Sequence, residues 1–235
     1  MNRIAFVTGA SRGIGAATAV ALARRGVHVV ITARTSGGLE ETDDAIRTAG
    51  GTATLLPLDL MDGESLDTVG PSLLERFGRL DILVHAAAAL GRLTPAAHIL
   101  PKDFETVTTV NWGATWRLIR TCGPLLVVAE AGRAVFLTDS LVPEPRAYWG
   151  LYGATKAASQ HLTLSWAAET KRTNCRVNLF DPGIVATRLR AEAMPGEDRA
   201  TLTQPADVAG DIAGLCEPDE TRHGEIVRFT PLARS

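Results

Sequence analysis

The chain is poor in cysteine, carries no large excess of either charge and contains no long apolar run. Each shortage removes a class of protein. Its three cysteines, Cys122, Cys175 and Cys216, are scattered and odd in number, with neither Cys-x-x-Cys nor metal-ligand spacing. They read as the reduced, structural thiols of a cytoplasmic protein. A net charge of −2 gives no basic footprint for nucleic acid or for an anionic membrane surface. No apolar stretch approaches the ~20 residues that a spanning helix needs. Asn2-Arg3 lead straight into a strand-like segment, which leaves no room for the apolar core of a signal peptide. Repeats, charge blocks and low-complexity linkers are also absent, so residues 1–235 are expected to form one domain, with 46% hydrophobic residues to build its core. The histidines His28, His85, His98, His161 and His223 show no spacing that suggests a metal site.

What is present is alternation. Short apolar runs read as strands at 4–7, 27–32, 52–56, 80–84, 134–138, 175–180 and 225–229. Between them lie helical segments at 16–25, 39–49, 65–77 and 103–128, one around Tyr152, and one at 207–216. The 103–128 helix holds Asn111 in its middle and is expected to bend or break at Gly123-Pro124. An Asn within an apolar helix is either on the surface or a buried relay with polar partners. Repeated strand-then-helix units predict an α/β fold: a doubly wound parallel sheet of about seven strands, covered on both faces, with ligands at the strands' C-terminal ends.

The first strand feeds Thr8-Gly9-Ala10-Ser11-Arg12-Gly13-Ile14-Gly15, and a helix follows. Strand, glycine turn and helix make a phosphate cradle, because glycines let the backbone approach a pyrophosphate and the helix N-terminus offers unpaired N–H groups. The second strand ends at Ala33-Arg34, where an acidic residue would bind the ribose hydroxyls of NAD. Arg34 without that carboxylate, aided by Arg12, favours the 2′-phosphate of NADP over NAD; otherwise Arg34 merely begins a solvated loop. Asp59, at the end of the third strand, either faces an adenine amino group or leads into the next helix.

Tyr148-Trp149-Gly150-Leu151-Tyr152-Gly153-Ala154-Thr155-Lys156 sets a phenol and an ammonium four residues apart. On a helix the two share a face. A nearby cation stabilises a phenolate and so makes tyrosine a usable acid or base near neutral pH.

With these motifs together, the chain resembles the short-chain dehydrogenase/reductase family over nearly its whole length. The turn from Thr8 to Gly15 matches that family's Thr-Gly-x-x-x-Gly-x-Gly, with Gly9, Ser11, Arg12, Gly13, Ile14 and Gly15 in the cofactor cradle. Tyr152 and Lys156 match its Tyr-x-x-x-Lys pair, and Val110-Asn111-Trp112-Gly113 looks like the segment that supplies its asparagine. Pro182-Gly183-Ile184-Val185-Ala186-Thr187 is similar to its segment beside the nicotinamide, with Ile184 and Thr187 at the carboxamide positions. Asp59-Leu60 takes the place that holds adenine, and Ala87 follows the fourth strand, where backbone contacts to the cofactor arise.

The resemblance implies hydride transfer between nicotinamide and a carbonyl or alcohol carbon. Tyr152 is then the proton donor or acceptor. Lys156 binds the nicotinamide ribose and lowers the pKa of Tyr152, and Asn111 helps hold a water leading to Lys156. A homodimer or homotetramer is implied, through the helices that contain Asn111 and Tyr152.

Two positions depart from the pattern. Thirteen residues before Tyr152 the family has serine, and here stands Asp139, with Ser140 adjacent. An ionised Asp139 repels a developing alkoxide and raises the pKa of Tyr152; a protonated one donates a hydrogen bond as serine does; a strand bulge would re-aim Ser140 instead. His85-Ala86-Ala87-Ala88 replaces the family's Asn-Ala-Gly. The alternative function is a cofactor-binding protein without ordinary turnover, a redox sensor or assembly partner. Residues 188–204 are expected to form a lid, with Leu189, Met194 and Leu202 as apolar contacts and Arg188 and Arg190 as anion contacts; Trp149 and Tyr148 either floor the pocket or pack an oligomer face.

Overall fold

Seven apolar runs become the strands β1 (Ile4–Thr8), β2 (His28–Ala33), β3 (Ala53–Pro57), β4 (Ile82–His85), β5 (Arg133–Leu137), β6 (Arg176–Asp181) and β7 (Ile226–Arg228). The structure, a computed structural model, describes residues 2–231; Met1 and residues 232–235, the ends of the expected domain range, lie outside it. The strands pair in the order β3-β2-β1-β4-β5-β6-β7, every pair parallel. The order reverses between β1 and β4, and such a switch opens a crevice at the C-terminal strand ends.

Helices cover both faces: α1 (Gly13–Ala23), α2 (Ser36–Thr48), α3 (Gly63–Asp67), α4 (Val69–Phe77), α5 (Pro101–Thr108), α6 (Ala114–Val128), α7 (Gly150–Thr170), α8 (Arg188–Ala193) and α9 (Pro205–Gly214). All five residues of β1 are buried. Ala5 and Val7 join a core with residues of α1, α2 and α9, while Ile4 and Phe6 join a second core with residues of α4, α6 and α7. Burial of a side chain such as Phe6 contributes roughly 1.5–3 kcal/mol.

Two expected helices are divided. The segment 65–77 becomes α3 and α4, because Asp62 accepts the Ser65 N–H to start a short helix that ends at Thr68. The expected break at Gly123-Pro124 is not there: α6 runs through Pro124 to Val128. Gly123 instead makes room for the ring of Trp166, since a Cβ there would stand 3.3 Å from its Cζ2. The irregularity falls earlier, as a π turn over Thr109–Gly113 between α5 and α6. Such turns accompany functional sites often.

Candidate active site

The glycine turn is shaped by close backbone contacts. Gly9 has φ +67°, and a Cβ there would lie 2.8 Å from both Cα and N of Ala87; a Cβ on Gly15 would lie 2.4 Å from the Gly9 carbonyl oxygen. Glycine is required at both. The turn after β1 therefore nests on the backbone after β4. Arg12, the residue before α1, is extended and supplies no side-chain cap, so the first N–H groups of α1 are left for a ligand. Gly13 sits under Thr187, whose Cγ2 would be 3.6 Å from an added Cβ, which brings the 182–187 segment over the cradle.

Arg12 and Arg34 are exposed, and neither makes an ion pair among the described residues. Asp59 leaves β3 one strand away from Arg34, since Ala33 pairs with Pro57, and its Oδ1 accepts the Met61 N–H at 3.0 Å. Leu60 beside it is buried. Gly183, at φ +65°, gives its N–H to Asp181 Oδ1, Ile184 is half exposed, and Thr187 caps α8 by accepting the Arg190 N–H at 3.1 Å. This is a donor set and a cradle that fit a dinucleotide: bare helix N–H groups for a pyrophosphate, two free guanidinium groups at one edge, and an open 182–184 loop at the other.

Tyr152 and Lys156 are both buried on α7, with Lys156 Nζ 6.0 Å from the centre of the Tyr152 ring. Lys156 donates to the Leu137 carbonyl, at the end of β5, at 2.7 Å. The Tyr152 hydroxyl donates to Asp139 Oδ2 at 3.2 Å. Ser140, the possible substitute for the family serine, is exposed and is not the partner of Tyr152. Asp139 faces the phenol because the chain turns directly there, Asp139 accepting the Leu141 and Val142 N–H groups.

The electrostatics of Tyr152 run in the direction expected of an ionised Asp139 and opposite to the lowering by Lys156 that the resemblance implies. Burial, then Asp139 and Asp181, hold its pKa well above the ordinary 10.0. Burial lowers Lys156 to about 8, against the pull of Asp139 and Asp181. The ammonium addresses a carbonyl and the ring, Asp139 accepts from the hydroxyl and the charge of Asp181 adds to it, so this geometry stabilises the neutral phenol.

Asn111 is the buried relay. Its Oδ1 accepts the Ala89 N–H at 2.7 Å, and its Nδ2 donates to Ala89 O at 2.9 Å and Thr155 Oγ1 at 3.0 Å. It ties the loop after β4 to the α7 turn that carries Tyr152. The π turn delivers this amide at the right depth.

His85 has no role in the motif pattern, yet it is buried beside the site, with Nδ1 2.7 Å from Thr8 Oγ1. Burial, then the charge of Lys156, lowers its pKa to about 3. The one available signal is register, because Thr8 and His85 are opposed strand ends. Of the expected lid residues, Leu189 and Met194 pack on an apolar cluster with Leu90, Leu141, Trp149 and Tyr152, so Trp149 is buried beside Tyr152 while Tyr148 is exposed. Arg188 and Arg190, the expected anion contacts, pair with Glu192 and Glu197. No cluster of metal ligands occurs among the described residues.

Comparison with known proteins agrees with this geometry. The short chain dehydrogenase family model matches residues 3–198. The uncharacterized oxidoreductase YciK of Escherichia coli K12 is 33% identical over 224 residues, covering 94% of this chain and 88% of that protein. A short chain dehydrogenase structure from Pseudomonas syringae superposes with a TM-score of 0.92 at 35% identity, over 96% of this chain and 94% of that one. A short chain dehydrogenase from Escherichia coli CFT073, complexed with NADPH, superposes with a TM-score of 0.92 at 32% identity over 98% of each chain.

Proposed function

The chain belongs to the short-chain dehydrogenase family, and from that premise we propose an NADP(H)-dependent oxidoreductase of small molecules, built as one catalytic unit. The observation that carries this reading is the meeting of Tyr152 and Lys156 with the glycine turn at the ends of β1, β4 and β5. Gly9, Ser11, Gly13, Ile14 and Gly15 would cradle the pyrophosphate, with Ala87, Asp59 and Leu60 along the adenosine half and Pro182, Gly183, Ile184 and Thr187 along the nicotinamide half. A bound nicotinamide supplies hydride chemistry. The ordinary reacting carbon in this family is a carbonyl or alcohol carbon, where Tyr152 holds the proton at Oη and Lys156 steadies the ribose. Asn111 acts as a positioning residue through Ala89 and Thr155.

Arg12 and Arg34 support NADP(H) over NAD(H), as two exposed cations without ion-pair partners among the described residues suit a 2′-phosphate. Exposed Phe104, Trp112 and Trp116, on the elements around Asn111, support a homodimer or homotetramer. No helix among the described residues is long and apolar enough to cross a membrane, and three buried free thiols support a reducing cytoplasmic setting. A cofactor-binding protein without turnover is the weaker reading, because Tyr152, Lys156 and Asn111 are all in place.

The test is direct. Purified protein is titrated with NADPH by fluorescence and then assayed with NADPH against carbonyls and imines and with NADP+ against alcohols. Micromolar binding with turnover of any of these is the expected result. Absence of NADPH binding, or binding with no turnover of any acceptor, overturns the reading.

A further inference from the structure

Asp139 is the group that meets the phenol of Tyr152, and both of its oxygens act as acceptors: Oδ1 from the Leu141 N–H at 3.0 Å, Oδ2 from the Tyr152 hydroxyl at 3.2 Å. A carboxylate in this state asks its ligand for a donor and a positive charge. A carbonyl oxygen offers neither, and it gains negative charge as hydride adds, so its transition state is opposed at this corner. The neighbouring charges do not cancel the effect. Lys156 is directed at the Leu137 carbonyl, and Arg190, whose field reaches Asp139, is already bidentate with Glu197. Asp181 adds a second negative charge to the surroundings of Tyr152 and Lys156. The residues packed around Tyr152, namely Leu90, Leu141 and Trp149 with Leu189 and Met194 against them, are apolar.

We propose that this pocket takes a protonated imine with an apolar body, and the corresponding amine, with Asp139 pairing the N–H⁺, so that the preferred reaction is reduction of a C=N bond. The proposal rests on the hydride-transfer reading above and names its substrate class. An adjacent carboxylate favours the protonated form of a basic nitrogen, which is the form that accepts hydride. In the step, hydride adds to the imine carbon, the C=N π pair becomes the lone pair of nitrogen, and the N–H proton stays. The imine is reduced and the reduced nicotinamide oxidised. No proton has to leave Tyr152, which suits a phenol whose burial and two nearby carboxylates hold its proton tightly.

Two measurements on the full chain decide it. In the first, calorimetry compares tetrahydroisoquinoline, a cation near neutral pH, with its neutral ether analogue isochroman, in wild type and Asp139→Asn, with melting curves to verify folding. The expected result is that Asp139→Asn weakens the cation by about tenfold or more and leaves the ether unchanged. Equal cation affinity in both proteins overturns the proposal. In the second, dihydroisoquinoline and tetralone are compared as substrates with NADPH. Wild type should favour the imine by about tenfold or more, Asp139→Ser should move preference towards the ketone, and Tyr152→Phe should cost more on the ketone than on the imine. Wild-type preference for the ketone overturns it. Loss of NADPH binding would sink the oxidoreductase reading and with it the C=N reduction, whereas the amine titration needs no cofactor and separately reads whether Asp139 pairs the cation.

Discussion

His85 Nδ1 and Thr8 Oγ1 are hydrogen-bonded at 2.7 Å across the opposed ends of β4 and β1. The Thr8 hydroxyl also accepts the Ala87 N–H at 3.3 Å, so a neutral imidazole helps hold the backbone on which Gly9 rests. The folded-state pKa of His85, about 3, lies below its ordinary 6.5. As pH falls, the unfolded chain takes the proton first, so this group's stability is complete above pH 6.5 and is lost towards pH 3. Across that window the loss runs at about 1.4 kcal/mol per pH step of one. His85→Asn keeps a polar partner for Thr8 and should flatten the acid limb of stability in urea unfolding. An unchanged acid limb would remove His85 from the account.

Tyr152 should titrate abnormally late. Burial is the larger cause and Asp139 the next, so Asp139→Asn should lower the phenol pKa while leaving it above 10.0. The chain has only two tyrosines, so phenolate absorbance in a Tyr148→Phe background reads Tyr152 alone. Because the folded value is raised, the associated stability is present below pH 10.0 and is lost above it. A titration unmoved by Asp139→Asn would mean that the carboxylate does not govern the phenol.

The parallel sheet was legible because strands buried on both faces read as unbroken apolar runs, as in Ile4–Thr8 and Ile82–His85. The i, i+4 spacing of Tyr152 and Lys156 and the glycine turn were legible for the same reason: they are local. What escaped depends on residues far apart in sequence. The π turn at Asn111 is fixed by a bidentate bond to Ala89, 22 residues away, and Lys156 finds the Leu137 carbonyl, 19 residues away. The unbroken passage of α6 through Pro124, where Gly123 admits the ring of Trp166, depends on packing, which outweighs propensity. Arg188 with Glu192 could have been read from helical spacing, whereas Arg190 with Glu197 needs the turn after α8.

Tyr148 has φ 73°, alone among the described non-glycine residues in a left-handed conformation, and its side chain is 60% exposed. That backbone costs an L-residue about 1–2 kcal/mol. Asparagine tolerates it better, and an exposed ring gives up little contact. Tyr148→Asn should therefore stabilise the protein by about 1 kcal/mol, raising Tm by roughly 2–4 °C. A lower Tm in thermal melts would show that the ring contributes more contact than its exposure suggests.

Arg34 should decide which dinucleotide binds. It follows Ala33 at the end of β2, exposed and without an ion pair among the described residues, and Arg12 in the glycine turn is equally free. NADP differs from NAD by one phosphate, and a guanidinium meets phosphate with paired, charge-assisted hydrogen bonds. Arg34→Ala should raise the Kd for NADPH by about tenfold or more, roughly 1.4 kcal/mol, and leave NADH nearly unchanged. Arg34→Asp should go further, repelling the 2′-phosphate while offering the ribose hydroxyls a carboxylate. Fluorescence titration of both reduced cofactors reads the difference. Equal weakening of the two would mean that Arg34 holds the pyrophosphate they share, and discrimination would then fall to Arg12.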